Sequence, residues 1–251
     1  MARLRDKVVF ITGAAGGVGR ACAEVVLREG GCVVLADLDR VRGEAIADSL
    51  DAKRALFVAL DVASESSWAE ALRRSADRFG RIDALVNSAA ILTMESIEDA
   101  SLDSWRRTMR INADGVFLGC KEAVAAMKES GGSIVNIAST AALAGHRGMC
   151  AYTASKGAVA ALTRHVAAHC RAKGYRIRCN SVHPAGIRTP MTEVLLRNMD
   201  PALIDIARNP ASNICEAEDV ANMVLYLVSD ESRFVNGAEL RLDNAMLISV
   251  D

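Results

Sequence analysis

A short apolar run, Val8-Val9-Phe10-Ile11, passes directly into Thr12-Gly13-Ala14-Ala15-Gly16-Gly17-Val18-Gly19, and a helical apolar pattern follows over 18–28. Glycines permit a tight turn and let a backbone come close to a pyrophosphate. The N-terminus of the helix that follows presents free N–H groups and a positive dipole end to the negative charge. A Gly-rich segment alone is weak evidence, but here the strand before it and the helix after it are both in place. Gly13, Gly16, Gly17 and Gly19, with Val18, are the expected phosphate-binding turn.

The rest of the chain repeats the same alternation. Strands are expected at 8–12, 32–36, 55–60, 84–87, 133–138, 178–183 and 239–242, and helical patterns at 18–28, 68–79, 104–128, 152–173 and 218–228. Strand and helix in alternation means right-handed βαβ units and a parallel sheet. The expected fold is α/β: a single-domain Rossmann fold over 1–251, doubly wound, with a parallel sheet of about seven strands and helices on both faces. No Pro-, Gly- or Ser-rich linker divides it. The segment 185–217 has three prolines (Pro190, Pro201, Pro210) and no clear period, so it is expected to form a functional loop or lid.

Composition narrows the function by exclusion. A net charge of -1 gives no electrostatic reason to bind nucleic acid or an anionic membrane, and 4% aromatic residues provide few stacking platforms. The seven cysteines form no C-x-x-C pair and sit in apolar segments, as reduced buried thiols of a cytoplasmic enzyme do. No apolar run reaches the length of a membrane span. Basic residues before the first apolar run also begin a signal peptide, but this run turns straight into Thr12-Gly13 with no cleavage-type ending.

Two further constellations carry chemistry. Asp37 ends the second strand, about twenty residues past the glycines, where an acidic side chain suits the ribose hydroxyls of NAD and repels the extra phosphate of NADP. No Lys or Arg stands in the turn itself, although Arg40 is nearby; the plainer reading is that Asp37 caps the next helix. Tyr152 and Lys156, four apart, share a helix face. An ammonium there stabilises a phenolate and is expected to lower the tyrosine pKa. Ser139 lies just past the fifth strand, at the edge where open α/β sheets place ligands.

The Gly-rich turn, Asn112, Ser139 and Tyr152-x-x-x-Lys156, in this order and spacing, resemble the short-chain dehydrogenase/reductase family, and the resemblance covers essentially the whole chain. It implies that Tyr152 is the general acid/base, that Ser139 orients the substrate oxygen and that Lys156 holds the nicotinamide ribose. It implies that Asn112 supports a water linking Lys156 to solvent. Hydride passes between the nicotinamide and the carbinol carbon. Asp37 and Leu38 are placed at the adenosine ribose, and Asp61 and Val62 at the adenine. Asn87-Ser88-Ala89-Ala90 matches the family's Asn-Asn-Ala-Gly segment at two of four positions, with Asn87 and Ala89 as cofactor contacts. Pro184, Ile187 and Thr189 match the segment that clamps the carboxamide, but Ala185 stands at its glycine position and Gly186 follows. The family also implies a homotetramer, a dimer of dimers.

A looser similarity, at 180–191 and 237–244, is to bacterial 3β/17β-hydroxysteroid and cyclic-alcohol dehydrogenases. Leu143, Met149, Ala185, Gly186, Met191, Val194, Leu195, Met199, Leu203 and Ile204 are the expected wall of an apolar substrate pocket, in which methionines adapt to varied shapes. The plainer reading is a lid core. Arg147 and Arg188 keep charged substrates open. The alternatives are an NADPH-dependent 3-oxoacyl or small-ketone reductase and a dinucleotide-binding regulator without turnover. His165 and His169 have the spacing of a zinc pair but no third ligand, so no metal is expected. Ser139 is not in a Gly-x-Ser-x-Gly elbow, which disfavours a hydrolase. Trp68 and Trp105 are expected packing anchors.

Overall fold

The computed structural model describes residues 2–192 and 213–248. The strands are β1 (Val8–Thr12), β2 (Cys32–Asp37), β3 (Ala55–Ala59), β4 (Ala84–Asn87), β5 (Gly132–Ile137), β6 (Ile177–Pro184), β7 (Gly186–Arg188), β8 (Ile214–Glu216) and β9 (Glu239–Leu242). The helices are α1 (Gly17–Arg28), α2 (Arg40–Ser49), α3 (Glu65–Phe79), α4 (Leu102–Met109), α5 (Gly115–Met127), α6 (Cys150–Ala172) and α7 (Ala217–Val228). The main sheet is parallel throughout, in the order β3-β2-β1-β4-β5-β6-β9.

Side chains alternate across a strand, so one run of apolar residues fills both layers. Val9 and Ile11 of β1 join a cluster with Ala23 and Val26 of α1 and Val220 and Val224 of α7. Val8 and Phe10 join the other, with Trp68 of α3, Leu118 of α5 and Val166 of α6. Trp68 is the expected anchor: it stacks on Phe10 at 5.6 Å and donates its indole N–H to the Val62 carbonyl at 3.0 Å. Trp105 is only half-buried. Crossovers lie on one face from β1 to β3 and on the other from β3 to β6. The direction therefore reverses between β1 and β4, and the crevice that takes a ligand opens at the C-terminal ends of those strands.

Three features depart from the expected pattern. The helix expected over 104–128 is broken: α4 and α5 are joined by a π-turn, Arg110–Asp114, in which the Gly115 N–H donates to the Arg110 carbonyl five residues back. The expected lid over 185–217 carries structure at both ends. There β7 pairs in parallel with β8 in a separate small sheet. Its expected pocket residues Val194, Leu195, Met199, Leu203 and Ile204 lie outside the described residues. The helix that follows Asp37, for which no bounds were read from sequence, is α2, capped by the Asp39 carboxylate accepting the Arg42 N–H. No helix among the described residues is long and apolar enough to cross a membrane.

Candidate active site

The C-terminal ends of β1, β2, β4, β5 and β6 surround a cavity of about 620 Å³ that runs from the glycine turn to Tyr152. Its phosphate end is built by close approach. Gly13 has a φ of +67° and packs so tightly on the chain after β4 that a Cβ would stand 2.8 Å from Ala89 Cα. At Gly19 a Cβ would stand 2.3 Å from the Gly13 carbonyl oxygen, and at Gly17 it would stand 2.7 Å from the Thr189 methyl. The turn is thus folded onto itself, with the chain after β6 resting on it and no room for a side chain at Gly13, Gly17 or Gly19. Gly19→Ala meets backbone rather than a flexible tip. The expected result is a loss of about 1–3 kcal/mol of stability and of dinucleotide binding, read by thermal unfolding and calorimetric titration.

Asp37 is held at the far end of this turn. Its Oδ2 accepts the Ala15 N–H and its Oδ1 the Asp39 N–H, each at 2.9 Å. Since Asp39 is the residue that caps α2, the capping role considered for Asp37 is not the one it has. Val18, Leu38, Asp61 and Val62 also line the cavity, as does Arg42; Arg40 does not.

The segment after β4 is tied down by the Thr12 hydroxyl, whose oxygen accepts the Ser88 and Ala89 N–H groups at 3.0 and 3.1 Å. The two departures from the family segment therefore leave its local packing intact. Asn87 itself requires a correction. Its side chain is buried and donates to Asn136 Oδ1 at 2.8 Å, and Asn136 donates to Thr163 Oγ1 at 2.9 Å. Asn87 is a polar tie joining β4, β5 and α6 beneath the site, and the residues after it reach the cavity.

Ser139, Tyr152 and Lys156 all face this cavity. Ser139 directly follows β5 and Ala138; its Oγ accepts the Ala141 N–H at 3.1 Å and caps a short 3-10 turn. Lys156 is 3% exposed, donates to the Ile137 carbonyl at 2.8 Å and lies 5.5 Å from the centre of the Tyr152 ring. Burial pushes its pKa down to about 8. The expected lowering of the Tyr152 pKa is not found: burial raises it, and the Ser139 hydroxyl beside it acts in the opposite direction. A phenol kept from water holds its proton.

Asn112 occupies the π-turn and is fully buried. Its Oδ1 accepts the Ile91 N–H at 2.8 Å, and its Nδ2 donates to the Ile91 carbonyl at 2.9 Å and to Ser155 Oγ at 3.2 Å. Ser155 in turn donates to the Tyr152 carbonyl at 2.7 Å. The side chain thus spans from the chain after β4 to the first turn of α6, which positions Tyr152.

Beyond the tyrosine the walls are apolar. Met149, Ala185, Gly186, Ile187, Thr189 and Met191 line the cavity. Ala185 has no positive φ, so it needs no glycine there. The close approach has moved to Gly186, where a Cβ would stand 2.8 Å from Ile214. Leu143 is 42% exposed and lies off the cavity, and Pro184 is buried behind it, so neither reaches it with its side chain. Leu92, His146 and Met246, which the sequence did not single out, do.

Comparison with known proteins agrees with this geometry. A family model described as enoyl-(acyl carrier protein) reductase matches residues 13–246. The trans-4-hydroxycyclohexanecarboxylate dehydrogenase of Sinomonas cyclohexanicum is 43% identical over 96% of this chain and 93% of that protein. The 3-beta-hydroxysteroid dehydrogenase of Comamonas testosteroni is 41% identical over 98% of this chain and 97% of that protein. The crystal structure of levodione reductase superposes with a TM-score of 0.87 at 31% identity, over 97% of this chain and 98% of that one. The chain belongs to the short-chain dehydrogenase/reductase family. It is an oxidoreductase of alcohols and ketones that uses a nicotinamide dinucleotide.

Proposed function

We propose that this protein is an NAD(H)-dependent dehydrogenase that interconverts a bulky alicyclic or steroid-like secondary alcohol and its ketone. The observation that carries the reading is the shared cavity: a glycine cradle and a carboxylate at one end, Ser139, Tyr152 and Lys156 at the middle, and apolar walls beyond.

The cradle fits a dinucleotide because its glycines let the backbone fold tightly ahead of the N-terminus of α1, where a pyrophosphate would meet free N–H groups: a Cβ at Gly13, Gly17 or Gly19 would stand 2.8 Å or less from neighbouring protein atoms. The dinucleotide, when bound, supplies or accepts hydride. Gly13, Gly16, Gly17 and Gly19 would hold the pyrophosphate with Val18, and Asp37 and Leu38 would hold the adenosine ribose. Asp61, Val62 and Ala89 would bound the adenine end, and Ile187 and Thr189 would hold the carboxamide. Tyr152 donates its proton to the ketone oxygen during reduction and accepts the alcohol proton during oxidation. The Ser139 hydroxyl fixes the same oxygen. Lys156 holds the ribose and keeps a positive charge beside the ring that transfers the proton. Asn112 fixes the start of α6.

Asp37 supports NAD: a second phosphate there would face a carboxylate already fixed by two N–H donors. We expect NAD to be preferred over NADP by about 100-fold in kcat/KM, and Asp37→Ala to erase most of that preference. Comparable use of both by the unaltered protein would overturn it. Met149, Met191, Met246 and Leu92 support an apolar ring, and the relatives act, by their names, on a hydroxycyclohexanecarboxylate, which carries its acid on an alicyclic ring, and on a steroid. Nicotinamide absorbance with hydroxysteroids, substituted cyclohexanols, cyclic terpene alcohols and short secondary alcohols tests the assignment. The bulky rings should give the highest kcat/KM, and turnover confined to acyl or charged substrates would sink it.

The protein acts as a cytoplasmic homotetramer in this reading. The apolar surface of Phe117 on α5, 49% exposed, and of Leu102 on α4, 59% exposed, favours assembly. Light scattering after size-exclusion chromatography distinguishes tetramer from monomer.

A further inference from the structure

Strand β6 places two polar side chains, Ser181 and His183, on the same side of the sheet, because residues two apart on a strand point the same way. Both are fully buried. A buried imidazole needs partners for both nitrogens, and this one has them. His183 Nδ1 lies 3.1 Å from the Ser139 carbonyl oxygen, and Nε2 lies 2.8 Å from Ser181 Oγ. A carbonyl can only accept, so Nδ1 carries the hydrogen and Nε2 accepts from the Ser181 hydroxyl. The neutral ring is thereby satisfied on both sides. Burial favours that form and holds the His183 pKa below its ordinary value; the charges of Lys156 and Arg164 act the same way, against the Ser139 carbonyl and Glu239.

The neighbourhood superficially contains a serine, a histidine and an acid, but it is not a nucleophilic triad. Glu239 Oε2 lies 3.9 Å from Nε2, the nitrogen that Ser181 already uses, and Glu239 is paired with Arg164. A triad needs its acid on the opposite nitrogen and its serine open to substrate. Ser181 has no exposed surface.

What His183 does hold is the backbone of Ser139. The Ala138 N–H makes a sheet bond to the Val182 carbonyl at 2.8 Å, and after it the chain turns away into the 3-10 segment. The imidazole supplies the next tie across β5 and β6, at the residue whose hydroxyl enters the cavity. We propose that His183 is a positioning residue: its Nδ1–H clamps the Ser139 carbonyl and so aims the Ser139 hydroxyl at the substrate oxygen shared with Tyr152. This rests on the reading of Ser139 given above.

Three variants of His183 and one of Ser139 test it by steady-state kinetics, calorimetric dinucleotide titration and thermal unfolding. A small misplacement at a reacting centre is costly, about 100-fold for about 1 Å. We expect His183→Leu to lower kcat by about 10- to 100-fold while dinucleotide affinity is kept. In His183→Asn the amide N–H can stand where Nδ1–H stood, and most of kcat should return. In His183→Gln the amide reaches the Nε2 position instead, and kcat should stay low. The Asn and Gln pair decides the matter even if the leucine variant does not fold. Equal kcat in the two, or losses that follow thermal stability alone, would overturn the clamp. Ser139→Ala separates the two claims. If it leaves kcat unchanged, the role of Ser139 fails; if it lowers kcat while the His183 amides are indistinguishable, only the clamp fails.

Discussion

Tyr152→Phe is expected to lower kcat by about 10²- to 10⁴-fold while leaving dinucleotide affinity unchanged by calorimetry. The substitution removes one oxygen and little else. The ring stays packed in the cavity wall, and the Lys156 ammonium keeps its place 5.5 Å from the ring centre. What is lost is the proton donor to the ketone oxygen. Burial raises the Tyr152 pKa, so the free protein holds the hydroxyl protonated at neutral pH. That is the correct state for reduction and the wrong one for oxidation. Oxidation of alcohol should therefore accelerate as pH rises, and reduction of ketone should slow over the same range. The phenylalanine variant should lose both dependences along with the rate. A variant that keeps its turnover would remove Tyr152 from the proton transfer. Unaltered protein that binds dinucleotide but turns over no alcohol or ketone would instead be a binding protein.

The sheet and the glycine turn were legible because a strand buried on both faces leaves a continuous apolar run, and β1 and β4 begin and end as expected. The break between α4 and α5 was not legible. One extra residue in a π-turn leaves the apolar periodicity nearly unchanged, so 104–128 read as one helix although Asn112 stands in the break. Asn87 was assigned to the ligand by its match to the family's Asn-Asn-Ala-Gly segment, which does not say where the side chain points. Its actual partner, Asn136, is 49 positions away. His146 and Met246 reach the cavity from loops, whose course no periodicity records. The Ser139–His183 contact left a faint trace: two polar residues, 181 and 183, on the face of β6 that Ile177 and Cys179 begin. Such a pair asks for a partner, but sequence does not say where. The three-residue strands β7 and β8 are too short for any alternation to identify.

Lys156→Met is expected to abolish most turnover and, at neutral pH, to make the apoprotein no less stable than the parent. The two effects have one origin. A lysine 3% exposed and bonded to a backbone carbonyl stays charged at a cost, which appears as a pKa pushed down to about 8 from an ordinary 10.5. Between these values the unfolded chain binds more protons than the folded one, so unfolding free energy rises with pH there. The contribution of Lys156 to stability is fully present above the unfolded value and is lost as pH falls through about 8. At about 1.4 kcal/mol per tenfold change in proton affinity, the distance between the two values corresponds to roughly 3 kcal/mol. Methionine fills similar volume without the charge, although it leaves the Ile137 carbonyl without its donor, which returns about 1–3 kcal/mol of the gain. The pH dependence isolates the charge from that loss. From pH 7 to pH 10 the parent should gain stability relative to the methionine variant, by denaturant unfolding in the Tyr152→Phe background so that the phenol does not titrate. A constant difference across that range would mean that Lys156 is not held at a cost. A strained ammonium beside the phenol is the condition under which the same side chain can bind a ribose tightly and ease proton transfer through its neighbour.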